Sequence, residues 1–164
     1  MQVILYARAD GGVSIVRPVI NTHTLVDGQI VPIPEAMTEE AALLRAMTGL
    51  PPEVDRNAAY LIDEAAVPAD RTFRDAWVLT ADALAVDMAK AREIHRNRIR
   101  AARAPLLAAA DVAYMRALEA GQDTAAIVAR KNALRAAPAD PAIEAATTPE
   151  ALAAVWPAVL SEAV

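Results

Sequence analysis

Four arginines carry the best-defined chemical pattern in this chain. Arg92, Arg96, Arg100 and Arg103 fall at i, i+4, i+8 and i+11, which at 100° per residue gathers them within about 80° on a helix. Guanidiniums at that pitch could follow the phosphates of a nucleic acid backbone. Lys90 and Arg98 extend the row, so residues 90–103 hold six basic side chains against Glu93, a local charge of +5. The elements that read bases do not accompany it. No aromatic residues interleave the arginines, and there is no zinc pattern or helix-turn-helix. The face is therefore read first as solvated or protein-facing, paired with carboxylates of the acidic half or of a neighbouring subunit. Phosphate contact is the second reading.

Other reactive side chains are scattered. His95 falls on an apolar helix face and His23 in a strand or loop. Neither has an H-x-x-x-H or His/Asp pattern around it, so both are read as packed or partly exposed histidines. Asp63, Glu64, Asp70, Asp75, Asp82 and Asp87 form a loose acidic series. Paired carboxylates could perform acid–base work or hold Mg²⁺, but this spacing follows no glycosidase, nuclease or EF-hand template. Turn and cap roles suit Asp70, Asp82 and Asp87 better. Asp10-Gly11-Gly12 lacks the phosphate-loop pattern, and no G-x-S-x-G occurs. No catalytic residue, cofactor or metal is assigned, and the chain is read as a binding or assembly component rather than an enzyme. With no cysteine, disulfides and thiolate chemistry are excluded.

The 164 residues allow one ordinary domain or two small ones. Much of the 55% hydrophobic content is alanine, which buries little area but favours helix. No stretch reaches the roughly 18 apolar residues of a membrane span, and no signal-peptide pattern opens the chain, so it is read as soluble and unsecreted. The net charge of −5 is uneven. Residues 1–87 carry 6 basic and 13 acidic side chains, or −7, whereas residues 88–164 carry 10 and 8, or +2.

Several elements must position the arginines. Residues 2–7 and 13–17 read as strands about a turn at Asp10-Gly11-Gly12, and Pro18 ends the pairing. Residues 22–26 and 29–33 flank Asp27-Gly28, a type I′ turn signal, while Pro32 and Pro34 limit the second strand to an edge. Thr38 caps a helix over about 39–48 with Leu43, Leu44 and Met47 on its apolar face, and Gly49 is placed just past its end. Residues 59–63 form a strand, and residues 77–79 and 84–86 a hairpin. Phe73 and Trp77 are assigned to the N-terminal core.

From an N-cap at Asp87, one helix runs to Gly121. Met88, Ala91, His95, Ile99, Ala102, Leu106, Ala109 and Ala113 line one face of it. Pro105 is its weak point. A second helix, capped by Asp123 or Thr124, returns over about 124–136 as an antiparallel hairpin. Thr148 with Pro149 starts a last short helix, closed by Trp156-Pro157. The expected fold is α+β: a small antiparallel β-rich module over 1–86, then a long helix and helical hairpin over 87–164. Arg92, Arg96, Arg100, Arg103, Ile99, Leu106 and Trp156 are the assigned partner-binding residues, with Trp156 open between pinning the C-terminus and serving an interface.

Four segments carry a resemblance. ILYARADGGVSIVRP (4–18), with its xxYxRxDGGVSIVxP pattern, precedes LIDEAAVPADRTFRDAW (61–77), VDMAKAREIHRNRIRAAR (86–103) and ARKNALRAAPADPAIEAATTPEALAAVWP (129–157). Together they resemble small proteins encoded in tailed bacteriophages and prophages, often among tail genes. The C-terminal segment is similar to the ends of tail-fibre and tail-assembly proteins. The likeness covers most of the chain, least clearly residues 19–58. It implies a structural or chaperone-like assembly role through binding to other tail proteins or to itself, as a homo-oligomer. It also implies a place in the host cytoplasm during assembly or in the virion. It carries over no catalytic residues. The alternative is a nucleic-acid-binding phage regulator, or an inhibitor of host defence, that uses the basic helix face.

Overall fold

In the computed structural model, residues 1–33, 37–80 and 83–161 are described. Pro34 and Asp82 lie outside them. The fold is α+β, with antiparallel strands in the N-terminal part and helices after them. The chain divides into two units, Met1–Val86 and Asp87–Val164.

In the first unit β1 (Gln2–Ala7) is the central strand of a three-stranded sheet, between β2 (Val13–Val16) and β5 (Tyr60–Asp63). Both pairings are antiparallel, with Leu5 opposite Ile15 on one side and Val3 opposite Ile62 on the other. Val3, Ile4 and Leu5 are all fully buried, so both faces of β1 are covered, as a continuous apolar run predicts. Val3 and Leu5 face Trp77, Val13 and Val67. The hairpin of β6 (Trp77–Thr80) and β7 (Ala83–Val86) supplies that layer, and pairs Trp77 with Val86 and Leu79 with Leu84 on its inner face. Fully burying a side chain the size of Leu5 contributes about 1.5–3 kcal/mol. Phe73 and Trp77 are both buried, as expected of core aromatics.

The opposite face of β1 belongs to α1 (Glu39–Thr48), which packs against it. Thr38 caps α1 through a hydrogen bond from the Ala41 N–H, as its sequence predicts. The expected apolar face is partly wrong. Leu44 is 69% exposed, while Ala42 and Leu50 are buried and Leu43 and Met47 half-buried. Leu44 and Thr48, four residues apart, share the exposed face with Arg45, so the buried stripe runs to the side of Ala42, Leu43, Ala46 and Met47. Gly49 closes the helix at φ −82° rather than in the left-handed conformation expected past a helix end. Arg56 supplies the cap instead, donating to the carbonyls of Met47, Thr48 and Leu50 at 3.3–3.4 Å.

The strands β3 (His23–Val26) and β4 (Gln29–Pro32) form a separate two-stranded hairpin. Asp27 and Gly28 have φ of 50° and 81°, the pair of positive values a type I′ turn requires. Val26, Ile30 and Val31 are exposed on it.

The second unit is built on α2 (Met88–Glu119), one helix that passes through Pro105. Asp87 caps it by accepting from the Ala89 and Lys90 N–H groups. At its other end Gly121 has φ 62°, the Gln122 N–H reaches the Ala117 carbonyl and the Gly121 N–H that of Leu118. That is the paired-bond stop in which glycine escapes the Cβ penalty. Asp123 then caps α3 (Ala125–Ala136), which packs along α2. Arg103 meets residues 134 and 135 while Asp111 meets Lys131, so α3 runs antiparallel to α2. Two short helices follow, α4 (Pro141–Ala145) and α5 (Pro149–Ala154), capped by Asp140 and Thr148. Ile99, Leu134, Ile143 and Leu152 are the fully buried aliphatics of this unit.

Candidate functional site

Helices α3, α4 and α5 each end with carbonyls that no later turn can satisfy. Side chains of α2 take all three ends. Arg103 Nη1 donates to the Arg135 carbonyl at 2.8 Å and the Leu134 carbonyl at 3.4 Å, in the last turn of α3. Arg92 Nη2 donates to the Ala146 carbonyl at 2.9 Å, and its Nε to that of Ile143 at 3.2 Å, at the end of α4. His95 Nε2–H donates to the Val155 carbonyl at 2.6 Å, at the end of α5. Cations at helix C-termini also oppose the negative end of the helix dipole. The planar fork of Arg92 suits two carbonyls at once, which a lysine could not match.

The remaining two arginines of the row pair with carboxylates of the same unit. Arg96 contacts Glu144 and lies 3.6 Å from Glu93. Arg100 Nη1 donates to Glu93 at 2.8 Å and to the Asn97 side chain at 2.7 Å. The hydrogen bond from Arg100, with the nearby Arg100 and Arg96 charges, holds the Glu93 carboxyl below its ordinary value. Arg92, Arg96, Arg100 and Arg103 are thus brought together as expected, and each has a partner within the second unit.

The other assigned partner-binding residues separate. Ile99 is fully buried, so its assignment to a partner surface is corrected to the core of its own unit. Leu106 is half-buried. Trp156 is 43% exposed and meets His95 edge-on, with centroids 6.2 Å apart. It both pins the C-terminal segment and keeps a free edge. The predicted apolar stripe holds at Ala91, His95 and Ile99. In the second half of α2 the buried positions are Ala110 and Ala117, where α3 packs, and not Ala109 and Ala113.

The opposite face of α2 was not read from the sequence. Ala101, Ala104, Pro105, Ala108, Val112 and Met115 are exposed along it, with Asn97 before them. Val112 and Met115 are 50% and 55% exposed, and Leu118 is exposed at its edge. The signal was present as neutral residues three or four apart, but alanine masks it because it is at home on either face of a helix.

The acidic series is dispersed in local roles. Asp63, Asp70 and Asp87 accept backbone N–H bonds in turns or caps, and Glu64 pairs with Arg17 at 2.6 Å. Among the described residues no three His, Asp or Glu side chains gather as a metal site. A cleft between β2 and α1, lined by Val16, Arg17, Asn21, Arg45 and Gly49, offers guanidiniums but no general base among its lining residues. No helix among the described residues is long and apolar enough to cross a membrane. Family models, curated proteins and solved structures offer no match to the chain.

Proposed function

We propose that this chain is a protein-binding component of a tailed phage, acting in tail structure or assembly without catalysis. The observation that supports a binding role is the exposed neutral face of α2, from Asn97 to Met115, with Val112, Met115 and Leu118 open to solvent. Exposed apolar side chains in a continuous patch mark interaction surfaces more often than isolated ones do. The phage context rests on the four sequence segments and not on the geometry.

Co-expression with phage tail-fibre and tail-assembly proteins tests this role. A stoichiometric complex that Val112→Glu with Met115→Glu abolishes, in a chain that still melts cooperatively, supports it. No complex with any of them, or one indifferent to both substitutions, contradicts it.

The nucleic-acid reading retains one favourable observation: Lys90 and Arg98 are exposed, and Arg100 partly so. Three cations that neutralise phosphates imply weak binding that fades steeply with salt. A low-salt mobility shift reduced by Lys90→Gln with Arg98→Gln favours this reading; no shift at low salt removes it.

A further inference from the structure

Two charges stand at the ends of the neutral face of α2. At 100° per residue Lys90 and Glu119 fall within about 20° of Ala108, on the centre line of that face. Both are exposed, and neither has an ion-pair partner among the described residues. Each is also at the wrong end of its own helix. Lys90 lies in the first turn, where the dipole is positive, and Glu119 is the last residue, where it is negative. An isolated helix gains nothing from that arrangement.

We infer that the neutral face of α2 pairs with the same face of a second copy, with the two helices antiparallel. This arrangement rests on the protein-binding reading of that face and names its partner. It sets Lys90 of one copy beside Glu119 of the other, twice over by two-fold symmetry. It also carries each charge to the favourable end of the neighbouring helix dipole. Parallel pairing would oppose Lys90 to Lys90 and Glu119 to Glu119, so the charges select the direction.

The register follows from the same pair, which places the midpoint at Ala104 and Pro105. Ala101, Ala104 and Ala108 then lie at the centre, where small side chains let helix axes approach to the short end of the usual range of about 8–10 Å. Val112 and Met115 pack to either side. From Lys90 to Glu119 the helix is about 44 Å long at ~1.5 Å per residue. Two such faces bury on the order of 1,200 Å² in total, at the lower bound for a stable interface.

Sedimentation equilibrium of the full chain over a concentration series tests the pairing. A dimer is expected, and Met115→Glu should make it monomeric while leaving the melting curve cooperative. Lys90→Glu and Glu119→Lys should each weaken the dimer by roughly tenfold, and the double swap should restore most of that loss. A monomeric wild type overturns the pairing, as does a dimer indifferent to Met115→Glu or a double swap no tighter than either single. If the monomeric wild type still holds a tail protein through Met115, self-pairing alone has failed. If it holds none, the binding reading has failed with it.

Discussion

The two halves of α2 orient their side chains in opposite ways. In residues 88–103 Arg92, His95 and Arg103 turn toward the unit they belong to and take the carbonyl ends of three other helices, while Lys90 and Arg98 stay exposed. In residues 104–119 the outward side chains centred on Ala108 are neutral, with Val112 and Met115 about half-exposed, while Asp111 and Arg116 are exposed at the flanks and Glu119 at the end. Most arginines of the first half serve the unit's own structure, and the proposed partner surface is centred on neutral residues of the second half. A run of arginines in an acidic protein invites the opposite reading, because sequence shows their number but not where the carbonyls lie.

The contrast can be broken most strongly at Ile99. It is fully buried between the arginines, so Ile99→Ala should cost about 2–4 kcal/mol in urea unfolding of the second unit. A loss under 1 kcal/mol, roughly a conservative core trim, would mean that this part of the helix is not packed as described.

Arg92→Ala comes next. It leaves the Ala146 and Ile143 carbonyls at the end of α4 without their donor, at about 1–3 kcal/mol, and Arg92→Lys should recover only part. Equal stability of wild type and Arg92→Ala would show that water serves those carbonyls as well.

Glu93 sharpens the same half by pH. Its folded pKa lies below the ordinary value because Arg100 and Arg96 favour the charged form. Its contribution is therefore complete above the unfolded glutamate value of about 4.3. It is lost as pH falls below that value and through the lower folded one. A carboxyl NMR titration should place the Glu93 midpoint below the ordinary glutamate value, and Arg100→Gln should raise it. A midpoint unmoved by Arg100→Gln would contradict the pairing.

The smallest effect belongs to the outward half. Met115→Ala should change unfolding free energy by less than about 0.5 kcal/mol when measured on dilute protein. A larger loss there would place Met115 in a core.

Much of the element pattern was legible because its signals are local. Asp27-Gly28, Thr38, Asp87, Gly121 and Thr148-Pro149 each act within four residues of themselves, and the structure uses each for a turn, cap or stop. The arginine row was legible as a row for the same reason. Its partners were not, since Arg92 reaches residues 143 and 146 and Arg103 reaches 134 and 135 only after the chain folds back. Beyond Ile99 the fully buried positions of α2, Ala110 and Ala117, differ from the expected Ala109 and Ala113 because alanine occupies all four, and only the approach of α3 distinguishes them. Leu44 was misplaced on the core face of α1 because Leu43, Leu44 and Met47 span only about 100° and fit one apolar stripe, and only the folded packing shows that Leu44 falls outside the buried side.

The inward turn of the arginines is tested most directly at the Arg92 Nε–H, in side-chain ¹⁵N spectra at low salt with and without a short DNA duplex. Bonded to the Ile143 carbonyl, that proton should give a slowly exchanging signal that the duplex does not move. Rapid exchange, with a shift on adding DNA, would mean that the row faces outward toward phosphate.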